Sequence, residues 1–357
     1  MLTLLLFTPL EKPYQEINNL TTMKYSDNAL NILTAKSYKG IGNAWIVKNL
    51  KGNERVETIV SLLNKTIKGE QTNEDEFESL KSSFEKKLLE KFDNEICDGF
   101  VAIGDKDFPQ YRGNVKESER PIFLYYKGNI DLLSLDNKNI TVIGLLNPKG
   151  DIEERERKIV AEFVKKGATI VSGLAFGCDS ISHQQALDSN GKTVAVLPSP
   201  LSSIMPVRNK GLAFQIVEEG GLLVTEYGTD FKSQMELSSR YKERDRLQAL
   251  FCDTIVLAAS YAQNSAERWK MFGQKLDSGA RLAMGFAKDY GIPRAVMYDK
   301  HSDENNPMFD LNRDLIKEQK DITIIAQDNV YETISKILDK QPSVKNTTTF
   351  QQGNLFD

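Results

Sequence analysis

Ala168-Thr-Ile-Val-Ser-Gly-Leu-Ala-Phe-Gly-Cys-Asp-Ser-Ile-Ser-His-Gln-Gln-Ala-Leu187 reads as a strand, a tight turn and a helix. The β-branched run at 169–171 feeds Ser172 and Gly173, and small residues carry the backbone to Gly177. Asp179 and Ser180 are good N-caps ahead of an amphipathic stretch. Glycines at 173 and 177 let a ligand approach the backbone, and the N–H groups and positive dipole end of the helix attract anions, phosphate above all. The same glycines would also serve simply to pack the helix on its strand, and the turn alone leaves both readings open.

Outward from this unit, strands and helices alternate. Strands are expected at 140–144, 193–197, 222–226, 254–258 and 294–298, with helices at 152–166, 208–219, 235–249 and 264–290 between them. Strands this uniformly apolar belong to a parallel sheet covered on both faces. The fold class expected is α/β, a Rossmann-like, doubly wound, mostly parallel sheet entered through Phe108-Pro109 and the apolar strand at 121–128. In such sheets ligands collect at the carboxyl ends of the strands, here Gly144, 172–177, 197–199 and 225–227.

Ahead of the sheet, residues 1–105 are expected to form a small all-helical domain, the Rossmann-like domain running over 106–340 and a flexible tail over 341–357. Gly40-Ile41-Gly42 interrupts the helical pattern of 25–63. It fits either a helix-hairpin-helix turn that offers N–H groups to phosphate or a glycine corner between packed helices. Phe77, Leu80, Phe84, Leu88 and Phe92 recur at helical spacing within 64–93 and make one amphipathic helix.

Composition narrows the function classes. With 357 residues, 40% hydrophobic, 27% charged and a net charge of −4, this is an ordinary globular chain, and any contact with nucleic acid must come from a local patch. Cys97, Cys178 and Cys252 are too far apart for a disulfide framework or a metal-ligand pattern, which fits a reducing cytoplasm. The apolar start, 1–10, is short, lacks a basic lead-in and runs into Glu11 and Pro13, so no signal peptide or membrane span is expected. Cations gather in 232–246 as Lys232, Arg240, Lys242, Arg244 and Arg246, against Glu236, Glu243 and Asp245. Arg240 and Arg244 lie one turn apart and can face a single groove, while Phe231, Tyr241 and Trp269 are candidates for base stacking. A solvated, salt-bridged helix face has the same composition. His183 shares a helix face with Asp179 but has no matching nucleophile, so it is assigned to packing or capping, and Glu226 to a sugar hydroxyl or to solvent. No catalytic residue, metal site or cofactor is expected.

Several of these segments together resemble the DprA/Smf family of DNA-processing proteins. They are Phe108-Pro109, 121–128, Ser172-Gly-Leu-Ala-Phe-Gly-Cys-Asp179 with His183, Gly191-Lys-Thr-Val-Ala-Val-Leu197, Gly220-Gly-Leu-Leu-Val-Thr-Glu226, Arg244-Asp-Arg246, Ser278-Gly279, and Asn306-Pro307 followed by Asn312-Arg-Asp-Leu-Ile316. The resemblance spans about 105–338, in the family's order. It implies a cytoplasmic homodimer that binds single-stranded DNA and presents it to the RecA recombinase without catalytic turnover. The implied phosphate path runs over Gly144, Lys149, Ser172, Gly173, Ala175, Gly177 and Asp179, with Lys232, Arg240, Arg244, Arg246, Ser278 and Gly279.

The departures are specific. Gly144-Leu145-Leu146 stands where the family has Gly-Ser-Arg, and leucine cannot supply a planar fork for phosphate, although Lys149 lies in the same loop. Arg244-Asp245-Arg246 replaces Arg-Asn-Arg, and 261–277 is an apparent insertion. Gly220-Gly221 with Glu226 is similar to part of the nucleotide phosphoribohydrolase motif, which keeps a nucleotide-binding sensor or hydrolase as the rival reading. The chain ends with Gln352, Leu355 and Phe356 spaced as in the Gln-x-x-Leu-Phe peptide that docks on the replication sliding clamp.

Overall fold

The computed structural model describes residues 24–339 apart from 70, 274, 275, 277, 278 and 319. Ser278, the apolar start at 1–10 and the tail bearing Gln352, Leu355 and Phe356 lie outside the described residues.

The α/β fold expected is the one that forms. Nine strands make one sheet: β1 (Gly99–Ala102), β2 (Phe123–Gly128), β3 (Asn139–Ile143), β4 (Thr169–Ser172), β5 (Thr193–Val196), β6 (Leu222–Thr225), β7 (Thr254–Leu257), β8 (Arg294–Met297) and β9 (Ile322–Ile325). Their order is β1-β2-β6-β5-β4-β3-β7-β8-β9. From β6 to β9 all pairings are parallel, whereas β1 and β2 attach antiparallel at one edge. Alternation along the strands splits the core between two faces. In β5, Val194 and Val196 point into one cluster and Ala195 into the opposite one, and β7 divides Ile255 and Leu257 from Val256 in the same manner.

One face carries α8 (Gln234–Leu250), α10 (Ala280–Tyr290) and α12 (Asp310–Glu318). The other carries α5 (Ile152–Lys165), α6 (Cys178–Asp188), α7 (Lys210–Glu218) and α13 (Val330–Asp339). The N-terminal helices α1 (Asp27–Lys36), α2 (Asn43–Asn49), α3 (Val56–Asn64) and α4 (Glu74–Asp93) share a core with β1, β2 and α7. Strand β1 precedes the expected boundary at 105, so the helical region is tied to the edge of the sheet by its own strand.

Two expected helices differ in extent. The one drawn over 64–93 starts only at Glu74, because Asn73 and Glu76 close a capping box there. The one drawn over 264–290 is two: α9 (Ser265–Arg268) stops where Lys270 turns to a φ of 55°, and α10 resumes at Ala280. Among the described residues no helix is long and apolar enough to cross a membrane.

Candidate functional site

The chain runs from β3 outward through β4, β5 and β6, then crosses back to β7 on the other side of β3. That reversal opens a crevice at the carboxyl ends of β3 and β7, the place where doubly wound sheets bind ligands. A cavity of about 340 Å³ lies there, bounded by Gly144, Leu146, Ala175 and Phe176 on the strand side and by Tyr241, Arg244, Asp245 and Gln248 of α8. Residues 241, 244, 245 and 248 follow one another at i, i+3, i+4 and i+7, so one face of α8 supplies that wall.

Each glycine of the quoted turn has a steric task. A Cβ on Gly173 would fall 1.3 Å from Arg244 Nη1, so the missing side chain is what admits the guanidinium. Gly177, at φ 70°, is the N-cap of α6, and a Cβ there would meet the Leu145 carbonyl oxygen at 2.1 Å. The Cys178 N–H donates to that carbonyl at 2.9 Å, which lays the loop after β3 across the start of α6. Gly144 is needed for the same contact, since a Cβ would lie 2.6 Å from Cys178 Sγ.

Three of the donors expected to hold phosphate are already engaged. Asp179 Oδ2 accepts from the N–H groups of Gly173 at 3.2 Å and Ala175 at 3.3 Å, and Ser172 Oγ donates to the Val142 carbonyl at 2.7 Å. Asp179 thus braces the turn from inside α6, while Gly177 occupies the capping position that the sequence reading gave to the aspartate.

Arg244 is the unusual group. Its side chain is 5% exposed, with Nη2 3.7 Å from Asp179 Oδ2 and Nε 3.5 Å from Asp245 Oδ1, and it lies 5.6 Å from the Tyr241 ring centroid. Neither Nε nor Nη1 has a hydrogen-bond partner, nor does Gln248 Nε2 beside them. Burial pushes the Asp179 and Asp245 carboxyls up, the latter to about 7, against the opposing pull of Arg244. Behind the turn, burial raises Glu156 to about 8 even though Ser182 Oγ donates to it at 2.7 Å. It also raises the Cys178 thiol. His183 is pushed down to about 3 by burial and by Arg244. Its Nδ1 sits 2.7 Å from Thr193 Oγ1, and that hydroxyl donates to the Ile170 carbonyl, so Nδ1 carries the proton of a neutral ring. The packing role given to His183 fits this arrangement.

The other residues singled out in the sequence are spread more widely. Arg240 does not share a groove with Arg244: its guanidinium donates to the carbonyls of Thr229 and Asp230 and to Glu236, stacked 4.4 Å over Tyr227. Arg246 Nη2 is paired with Glu226, at 2.7 Å to both carboxylate oxygens. Lys149 and Lys232 are exposed on the loops after β3 and before α8. Lys232 precedes the first residue of α8, Gln234, which itself lies about 15 Å along the helix from Arg244. Gly279 joins the cavity at the start of α10, while Phe231 is half-buried outside the cavity lining. Trp269 does not stack at the site, because its indole N–H donates to Asp310 at 2.8 Å and Arg313 lies over its ring. Sequence reasoning passed over Gln248, Leu146 and Phe176. Gln248 was findable, one turn beyond Arg244 on the same helix face.

Comparison with known proteins converges on one family. A family model described as DNA recombination-mediator protein A matches residues 99–266. Protein Smf of Borreliella burgdorferi is 28% identical over 197 residues, covering 55% of this chain and 56% of that protein. DNA processing protein DprA of Streptococcus pneumoniae is 31% identical over 140 residues, covering 39% and 47%. The chain spans about half the length of the curated relatives it matches. The X-ray structure of DprA from Streptococcus pneumoniae superposes with a TM-score of 0.63 at 20% identity, covering 87% of this chain and 98% of that one, and it has the same fold.

Proposed function

Because the chain belongs to the DprA/Smf family, we propose that it binds single-stranded DNA at the carboxyl rim of the sheet in the service of DNA recombination. The observation that carries this reading is Arg244, a buried guanidinium with two nitrogens lacking acceptors at the edge of an open cavity. A fixed cation left unsatisfied in a recess is costly unless a ligand completes it. A single strand can feed an unstacked nucleotide into such a recess, whereas a duplex holds its bases inside the stack. Lys149 and Lys232, exposed on the flanking loops, add the local positive field that the acidic overall balance does not provide.

Within the same reading, the protein works as a cytoplasmic homodimer that presents the strand to RecA, and the tail residues Gln352, Leu355 and Phe356 dock on the sliding clamp. These roles rest on the family resemblance and on the Gln-x-x-Leu-Phe spacing. It acts by binding and not by turnover, a reading supported by the complete burial of Cys178 and His183, which keeps both from a substrate.

The test is an equilibrium titration with oligothymidine, the corresponding duplex and a mononucleotide. Single strands should bind most tightly, weaken steeply with salt, and lose about tenfold or more on Arg244→Ala. Equal binding by wild type and Arg244→Ala would remove the site. The cavity has the size of a small-ligand pocket, which favours a nucleotide sensor as the second reading. In that case a mononucleotide raises the melting temperature and the oligonucleotide does not.

A further inference from the structure

Another cavity, of about 500 Å³, lies where the N-terminal helices meet the edge of the sheet. Leu33 of α1, Phe84 and Leu88 of α4, Ile96, and Phe123 of β2 line its apolar wall, and Tyr227 joins them from the loop after β6. Leu33, Ile96 and Phe123 pack against the core that the helices share with the sheet, yet each is only half-buried. The core is open on this side, and apolar side chains that face water there gain by being covered.

The chain carries an apolar run that no role described so far uses. Residues 1–10, outside the described residues, include seven apolar side chains, among them Leu4 to Phe7, and no charged one. Ten residues are too few to span a bilayer, so the run is better covered by a protein surface. Its connection to the fold is beside the cavity. Lys24 Nζ lies 5.2 Å from the Phe92 ring centroid, the Tyr25 ring stacks on Phe92 at 5.8 Å, and the Tyr25 hydroxyl donates to Glu85 at 2.8 Å. Phe92 is one turn beyond Leu88 and Glu85 adjoins Phe84, so the chain enters along the helix that walls the cavity. Residues 11–23 join the run to Lys24, a reach of up to about 45 Å. The charges agree as well: Lys87 and Lys91 outnumber Glu90 on the α4 rim, and the first charged residue after the run is Glu11.

We propose that residues 1–10 of the same chain fill this cavity, their leucines and Phe7 against its apolar wall and Glu11 beside Lys87 and Lys91. The contact fastens α1 and α4 to the edge of the sheet, and it is independent of the strand-binding reading.

The experiment is a cycle of variants in the full chain, read as melting temperatures. Leu5→Asp with Phe7→Asp alters the run, and Phe84→Glu, at a half-buried position, alters the wall without a poor helix former. Each should lower the melting temperature by about 3 °C or more, and the combination should melt within about 1 °C of the lower one, since either alone empties the cavity. Additive losses, or no loss from the change in the run, overturn the proposal. A second measurement does not depend on stability. Cys97, Cys178 and Cys252 are buried, so nitroxide labels go to cysteines introduced as Thr8→Cys and Lys87→Cys. Their separation should be single, well short of the roughly 45 Å that the linker allows, and unchanged by excess unlabelled protein. A broad spread of separations overturns the proposal. So does a short separation that is lost on adding unlabelled protein, which would give the cavity to a second copy of the chain.

Discussion

The molecule contains two glycine-punctuated turns that lead into helices, one at 39–43 and one at 172–177, and they do opposite things. Around Gly40 and Gly42 a Cβ would meet nothing within 4 Å. Around Gly173 and Gly177 it would strike Arg244 at 1.3 Å and the Leu145 carbonyl at 2.1 Å. The first turn keeps glycine for backbone freedom alone, with φ at 91° for Gly40, and buries Ile41 between its flanking helices. The second keeps glycine because other parts of the protein occupy the space. In neither turn does the glycine pattern by itself indicate where a ligand lies; what sets the second apart is the charged group that closes on it.

Breaking this contrast should cost most at Gly177. Alanine there combines a positive φ with a backbone clash, and a loss of about 3 kcal/mol is expected from a denaturant titration. At Gly173 the obstacle is the end of a side chain, so Gly173→Ala should cost about 1–3 kcal/mol and expel the guanidinium. Oligonucleotide binding should then fall as far as in Arg244→Ala; retention of full affinity would dissociate the turn from the site.

The buried acids behind the turn give a pH signature. Glu156 holds its proton to about pH 8 when folded but ionises near 4.5 when unfolded, so the folded state binds more protons in that window and stability falls as pH rises through it. Glu156→Gln should remove up to about 1.4 kcal/mol of that fall per pH unit, read as melting temperatures of the two proteins from pH 5 to 8. His183 acts with the opposite sign lower down: neutral when folded to about pH 3 and charged below 6.5 when unfolded, it makes stability rise with pH between those values. The smallest effect belongs to the first turn, where Gly42→Ala, at an N-cap with open space, should cost only about 0.5 kcal/mol. A cost as large as that of Gly173→Ala would show that the two turns are not different in kind.

Much of the architecture was legible because it rests on periodicity. The uniformly apolar runs at 193–197, 222–226 and 254–258 had no stable place except the middle of a covered parallel sheet, and they became β5, β6 and β7. Edge strand β1 was missed because four buried residues, Gly99 to Ala102, carry no alternation to distinguish them from the end of a helix. In the site, Arg244 and Tyr241 were legible as a cation and an aromatic on one helix. Arg240 and Arg246 looked equivalent to Arg244 in sequence, and nothing local showed that the carbonyls of 229–230 and the Glu226 carboxylate would claim them.

The sequence by itself determined the alternation of strands and helices and therefore the class of sheet and the rim at which a ligand must sit, because hydrophobic spacing and chain connectivity are properties of the one-dimensional string. Which charges remain available at that rim was decided only in three dimensions. An arginine's partner is set by side chains and carbonyls far away along the chain, so Arg244 is left facing the cavity with two nitrogens lacking acceptors, and Arg240 and Arg246 are drawn to the 229–230 carbonyls and to Glu226, only after the strands have packed.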